Sequence, residues 1–250
     1  MKPTFVNAEK PLITVMLKKT TPDEVIDEIG IALQNGAEAF GLQAENFDRK
    51  YHKPEIFKDI FDAMDNKPLY ITNYKLVNNL DLPYEQLAEE LISFAEMGAT
   101  LCDVMGDYFH KEKYELTGDP EAINKQMKLI NELHSKGAEV VMSSHINKYR
   151  SAESVLSVAQ EHKRRGADIS KIVTHAKDMK QQIANLRTTD LLKRELGIPF
   201  LFLSGGECRI HRRIGILLGS CMSLCVCEDN PENPQPFISD QKNIRDNMKF

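Results

Sequence analysis

The chain has 250 residues, of which 42% are hydrophobic and 28% charged, as is usual for a globular domain. Its formal net charge of −5 argues against nucleic-acid binding, and no apolar run reaches the ~18 residues of a membrane span. The five cysteines form no CxxC pair at metal-ligand spacing and the amino terminus lacks the pattern of a secretory signal, so we expect a cytoplasmic protein without disulfides or metal.

Predicted strands and helices alternate along the whole chain. Thr21 caps the first helix and Gly36 ends it, and most later helices are bounded in the same way. The strands are predicted at 11–17, 37–43, 67–74, 99–105, 138–145, 167–176, 198–206 and 219–227. The helices are predicted at 20–36, 54–64, 82–98, 119–137, 151–166, 178–196, 210–217 and 239–250.

This alternation predicts the fold. Strands that alternate with helices imply right-handed crossovers and a parallel sheet. Eight such units in 250 residues have the size and rhythm of a (β/α)8 barrel. An open doubly wound sheet is the alternative, but no glycine-rich phosphate motif follows the first strand. We therefore predict an α/β protein, a single-domain (β/α)8 TIM barrel over residues 1–250.

Functional side chains of such barrels lie at the carboxyl ends of the strands and in the loops that follow. Several predicted strands end in polar residues, which makes these residues the candidates for a site. They are Gln43, Tyr74, Asp103, His145, Lys171, Ser204 and an arginine cluster after strand seven.

Lys171 lies in the middle of the sixth predicted strand and shares its alternating face with Ile169 and Val173. Because both neighbours are apolar, this face is expected to point into the barrel interior. Burial disfavours the charged form of lysine, and a neutral amine can attack a carbonyl and form a Schiff base. A solvated lysine whose stem covers apolar neighbours is the alternative, and the pattern alone leaves both open.

His145 ends the fifth strand and is expected beside Lys171, where an imidazole can transfer protons near neutral pH. His175 is a rival, although it lies past the end of its strand. The segment 204–220 has a glycine pair after strand seven, and the basic cluster 209–213 follows it. Guanidinium groups bind carboxylate or phosphate through paired hydrogen bonds, so we predict an anion site there. A solvated helix end is the alternative, and spacing does not decide which arginine points inward.

Four segments carry a resemblance to a known family. VVMSSH (140–145), GADISKIVTHAKD (166–178), FLFLSGG (200–206) and HRRIGILLGS (211–220) resemble type I 3-dehydroquinase, the Schiff-base 3-dehydroquinate dehydratase of the shikimate pathway. The similarity extends over nearly the whole chain, and the lysine within GADI-x-K is its most specific part.

The resemblance implies a barrel that is commonly a homodimer and needs no metal or organic cofactor. It matches Lys171 to the imine-forming lysine, His145 to the general acid/base, and Arg212 to the arginine that holds the substrate carboxylate. It implies that the imine serves as an electron sink while the histidine removes an α-proton and a β-hydroxyl leaves as water.

The chain also departs from the family pattern. The second strand of the family typically ends in Glu-x-Arg-x-Asp, which helps to bind substrate hydroxyls, whereas residues 41–45 read Gly-Leu-Gln-Ala-Glu. The family usually has an arginine where Tyr74 follows Thr-Asn. The acidic pair of strand four keeps Asp103 but has Met105 in second place, and residues 233–237 only echo the late Ser-Ala-Pro-Gly-Gln segment.

These departures lie at the end of the pocket that would recognise hydroxyls, so they are expected to change the preferred substrate. The sequence predicts a Schiff-base lyase, a dehydratase acting on a small-molecule keto-carboxylate that need not be 3-dehydroquinate. The residues predicted to bind this substrate are Arg212, Gln43, Tyr74, Asp103, Ser204 and Gln235. An authentic 3-dehydroquinate dehydratase, a class I aldolase and a non-catalytic ligand-binding barrel are the alternatives.

Overall fold

The computed structural model describes residues 3–207, 209–228 and 233–248. Within them, eight parallel strands alternate with eight α-helices. The strands are β1 (Leu12–Leu17), β2 (Ala39–Gln43), β3 (Leu69–Thr72), β4 (Leu101–Met105), β5 (Glu139–His145), β6 (Ile169–His175), β7 (Phe200–Gly205) and β8 (Met222–Cys225). The helices are α1 (Pro22–Gln34), α2 (Pro54–Ala63), α3 (Tyr84–Glu96), α4 (Pro120–Ser135), α5 (Ala152–Arg164), α6 (Met179–Glu195), α7 (His211–Leu218) and α8 (Ile238–Asn247).

The strands form one sheet in the order β7-β6-β5-β4-β3-β2-β1-β8, with every neighbouring pair parallel. The Cys221 amide donates a hydrogen bond of 2.9 Å to the Phe200 carbonyl, which brings the two ends of the sheet together. The sheet is therefore a nearly closed barrel, and the predicted (β/α)8 fold is confirmed. All observed element bounds lie within three residues of those predicted.

Apolar layers lie on both faces of the strands. A larger one packs the helices against the outer face of the sheet, and a smaller one fills the barrel interior. Ile169 and Val173 of β6 belong to the interior layer, and Lys171 between them is only 5% exposed. The alternation along β6 thus directs the amine of Lys171 into the barrel, as the sequence predicts.

The loop between β4 and α4 is held by one buried arginine. Arg165, which follows α5, donates hydrogen bonds to the carbonyl oxygens of Gly106 (3.0 Å) and Thr117 (2.6 Å) and to Gln126 Oε1 (2.7 Å). Its Nε pairs with Glu161 at 2.8 Å. Because Gly106 and Thr117 lie at the two ends of the loop, this side chain fixes the loop at both ends.

In the described ranges, no helix is long and apolar enough to cross a membrane.

Candidate active site

The amine of Lys171 lies in a polar cluster at the carboxyl end of the barrel. Its Nζ donates hydrogen bonds to the hydroxyls of Tyr70 (2.7 Å) and Tyr74 (3.1 Å) and lies 3.2 Å from Asp103 Oδ2. Asp103 is fully buried, so this ion pair is screened little by water. The carboxylate compensates the charge of the buried ammonium group, which could not otherwise be accommodated there.

Asp103 is the acceptor at the centre of this cluster. Tyr70 and Tyr74 donate to its Oδ2, and Ser143 Oγ donates to its Oδ1. Burial alone would raise the pKa of Asp103, but the charge of Lys171 and these hydrogen bonds outweigh it and hold the pKa below its usual range. Burial, and then the charge of Asp103, raises the pKa of both tyrosines far above its ordinary value. The cluster therefore contains one carboxylate and two neutral phenols.

His145 is oriented by a carboxylate that the sequence did not reveal. Its Nδ1 lies 2.7 Å from Glu115 Oε2, and its backbone amide donates to the same oxygen at 2.7 Å. A carboxylate only accepts hydrogen bonds, so Nδ1 carries the proton and Nε2 keeps a free lone pair. The imidazole also stands edge-on to the ring of Tyr74, with centroids 5.8 Å apart.

Glu115 lies in the long β4–α4 loop. The backbone there is unusual, since Tyr114 and Glu115 have φ angles of 68° and 49°, a region that residues other than glycine rarely adopt. Such strain persists only where surrounding contacts fix it. No apolar period or strand end points to a residue in such a loop, so Glu115 is not predictable from the sequence pattern.

Most of the predicted residues meet at one cavity of about 200 Å³. Its lining includes Lys171 and His145, and six of the eight predicted site residues belong to it: Gln43, Tyr74, His145, Lys171, Arg212 and Gln235. Asp103, the seventh, reaches the site through its contact with Lys171. Lys18, Tyr70 and Thr72 also line the cavity, although the sequence analysis did not select them.

Ser204 is the exception, and the structure corrects its predicted role. Its hydroxyl accepts a hydrogen bond of 3.0 Å from Asn185 on α6, so it lies on the outer face of β7. Leu201 and Leu203 occupy the inner face, and the alternation of side chains along a strand therefore turns Ser204 away from the cavity. Only its carbonyl oxygen reaches towards the site, where it accepts a hydrogen bond of 3.1 Å from Arg212 Nε.

Arg212 lies at the start of α7, on the β7 side of the cavity. Burial, together with the charge of Arg209, lowers its pKa to about 10, so the guanidinium remains charged at neutral pH. Among the described residues, Arg212 forms no ion pair with a carboxylate. An anionic group entering the cavity would meet this charge.

The residues that depart from the family pattern form the opposite wall. A β-carbon added at Gly41 would collide with Met16 Sδ, so Met16 occupies the space that a side chain at position 41 would need. Glu45 is buried behind this wall, where Thr72 Oγ1 donates to both of its oxygens, and burial raises its pKa. This wall is therefore more apolar than one carrying a carboxylate and an arginine.

No group of three or more His, Cys, Asp or Glu side chains that could hold a metal ion occurs in the described part of the chain.

The fold and the site together define the class of protein: it is a (β/α)8 barrel with a buried lysine in a pocket at the carboxyl ends of its strands. The family model of type I 3-dehydroquinase matches residues 13–248, and the chain belongs to this family. The match confirms the resemblance and supports the predicted enzyme class, the carbon–oxygen lyases.

Individual relatives agree with this assignment. The 3-dehydroquinate dehydratase of Alkaliphilus oremlandii (strain OhILAs) is 32% identical over 133 residues, which are 52% of this chain and 51% of the relative. The match thus spans about half the length of that protein. The crystal structure of 3-dehydroquinate dehydratase from Geobacillus kaustophilus HTA426 is similar with a TM-score of 0.82 and 18% identity, covering 96% of this chain and 92% of the other. The enzyme from Enterococcus faecalis has a TM-score of 0.79 and 18% identity over 99% of both chains.

Glu115→Gln should lower kcat by about 10- to 1000-fold, because it removes the carboxylate that orients His145. Formation of an imine on Lys171 should be unaffected, since Glu115 does not contact that residue. Steady-state turnover and borohydride trapping, measured on the same preparation, separate these effects. Glu121→Gln, an exposed substitution on α4, is the control, and equal turnover by the two variants would refute the role of Glu115.

Proposed function

We propose that the protein is a Schiff-base-forming dehydratase of the type I dehydroquinase kind, acting on a keto compound that carries an anionic group. The observation that carries the proposal is the cavity in which a buried lysine, an oriented histidine and an arginine meet, namely Lys171, His145 and Arg212. Within the described residues this arginine has no carboxylate partner. Membership in the family supports it.

The first step is imine formation. The ammonium group of Lys171 first gives up a proton, and the neutral amine attacks the ketone carbon. The resulting carbinolamine takes that proton back as its hydroxyl leaves as water, which gives a protonated imine. The nitrogen is positively charged both in the ammonium group and in the protonated imine, so Asp103 at 3.2 Å can compensate the imine as it compensates the ammonium group. The phenols of Tyr70 and Tyr74 hold the nitrogen in position.

The second step is elimination. The free Nε2 of His145 removes a proton from the carbon next to the imine, and the electron pair of that C–H bond flows towards the iminium nitrogen. The β-hydroxyl then leaves as water with the proton that His145 returns. Hydrolysis of the unsaturated imine releases the product and restores Lys171. General acid/base catalysis of this kind contributes about 10²- to 10⁴-fold.

Arg212 is proposed to bind the anionic group of the substrate, with Gln43, Tyr74 and Gln235 contacting its remaining polar atoms. The side-chain amide oxygens of both glutamines are buried and find no hydrogen-bond partner among the described residues, and a substrate hydroxyl would supply one. Met16 and Tyr70 make the wall beside Gly41 bulky, which favours a substrate other than 3-dehydroquinate.

3-Dehydroquinate itself is the second candidate, favoured by the family match and by the name of the Alkaliphilus oremlandii relative. To decide between 3-dehydroquinate and another anionic keto compound, the purified protein is incubated with 3-dehydroquinate and the absorbance of the conjugated product is measured. Turnover at ordinary enzyme rates, about 1–10³ s⁻¹, would identify 3-dehydroquinate as the substrate.

Borohydride reduction in the presence of a panel of keto acids, with peptide mass mapping, tests the proposed chemistry directly. We expect a covalent adduct on Lys171, whose mass identifies the bound compound. A product with a cleaved carbon–carbon bond would instead indicate an aldolase. A folded protein that forms no adduct with any carbonyl compound would be a ligand-binding barrel.

We also propose that the protein is a cytoplasmic homodimer, as the family resemblance implies. The molar mass in solution, measured by light scattering after size-exclusion chromatography, tests the dimer against the 28.4 kDa of one chain.

A further inference from the structure

Lys18 is a third cation at the cavity, beyond Lys171 and Arg212, which the proposed reaction uses. It directly follows β1, so its side chain stands at the carboxyl end of the barrel, and it lines the same cavity as Lys171 and Arg212. Of the described residues that line this cavity, none carries a carboxylate. Three cations thus face a space of about 200 Å³.

The charges around this space do not balance. Asp103 compensates Lys171 and continues to do so when the amine becomes a protonated imine. Arg212 and Lys18 form no ion pair within the described residues. Counted over the described residues, two positive charges therefore remain for a ligand in the cavity.

The positive charges of Lys18 and Arg212 are close enough to repel each other. Lys18 is exposed at the rim, yet the protein crowds its amine, and this partial burial, followed by repulsion from Arg212, lowers the pKa of Lys18. Glu45 opposes the shift but does not cancel it. Its neighbour Lys19 differs, because it forms an ion pair of 3.0 Å with Glu228 and does not line the cavity.

We infer that the substrate carries two negative charges and that Lys18 binds the second of them, Arg212 binding the first. This inference rests on the proposed imine chemistry of Lys171 and adds the charge of the substrate. A keto compound with two anionic groups satisfies both unpaired cations, whereas a monoanion leaves one of them uncompensated. Lys18 is then the residue that sets the preference for dianions over monoanions.

Two keto acids of equal length provide the test: 2-oxoglutarate, a dianion, and 2-oxopentanoate, its monoanionic counterpart. The measured quantity is the concentration that gives half-maximal borohydride trapping on Lys171. The unmodified protein should require about 10-fold less 2-oxoglutarate than 2-oxopentanoate, the effect of one charged hydrogen bond of moderate strength.

Lys18→Met should abolish this preference by raising the half-maximal concentration of 2-oxoglutarate to that of 2-oxopentanoate, and Lys18→Arg should retain it. Lys19→Met is the matched control and should behave as the unmodified protein does. Equal half-maximal concentrations of the two acids in the unmodified protein would overturn the inference and leave the imine chemistry standing. A preference that persists in Lys18→Met would overturn the role of Lys18. If neither acid nor any other carbonyl compound forms an adduct, the proposed function itself fails.

Discussion

Lys171→Met should lower turnover by about 10⁴- to 10⁶-fold and abolish borohydride trapping, because no other group in the cavity can replace the amine as nucleophile. Lys18 lines the same cavity but lies at the rim, outside the cluster around Asp103 that compensates an imine. Turnover and the mass of the trapped peptide measure the two effects. A full adduct on the variant would place the imine on another lysine.

The same substitution leaves Asp103 buried without a counter-ion, so its effect on stability must be separated from its effect on catalysis. Removal of one partner of a buried ion pair costs about 3–5 kcal/mol of the free energy of unfolding. The double variant Lys171→Met/Asp103→Asn removes both charges and should recover much of this loss without recovering activity. Denaturant unfolding followed by circular dichroism provides the comparison. Turnover by the folded double variant would refute the role of Lys171.

Lys171 could be found from the sequence because two regular patterns place it. The repetition of strand and helix predicts the barrel, and the barrel predicts where strand ends meet. The alternation of Ile169, Lys171 and Val173 then predicts an inward side chain, and the structure agrees. The same reasoning predicts Asp103 and His145 on β4 and β5, the two strands that precede the strand of Lys171 in the sheet, and the structure places them there.

The remaining features depend on contacts between segments that are far apart in the chain. Glu115 reaches His145 from a loop of 14 residues between β4 and α4, whose path no local pattern encodes. The position of Ser204 at a strand end predicts that it belongs to the site. Whether its side chain points into or out of the barrel depends, however, on the strand register, because a shift of one residue turns each side chain to the opposite face. Lys18 was overlooked because adjacent lysines after a strand are usually solvated.

Arg165→Met should lower the free energy of unfolding by about 3–5 kcal/mol, the second large effect that the structure predicts. Methionine fills most of the space but donates no hydrogen bonds, so the Thr117 carbonyl oxygen and Gln126 Oε1 lose their buried donor. The Gly106 carbonyl keeps the hydrogen bonds from the Thr117 amide and from Gln126 Nε2. Each buried acceptor left without a partner costs about 1–3 kcal/mol. Denaturant unfolding measures the loss.

Arg164→Met is the matched control, because Arg164 adjoins Arg165 and pairs with the same Glu161 but is exposed. Exposed ion pairs contribute about 0–1 kcal/mol, so this variant should remain close to the unmodified protein. Equal losses in the two variants would show that the pairing with Glu161, and not the anchoring of the loop, supplies the stability. Since Glu115 lies in the anchored loop, Arg165→Met should also reduce turnover under conditions where the protein is fully folded, whereas Arg164→Met should not. The buried arginine thereby links the stability of the barrel to the orientation of His145.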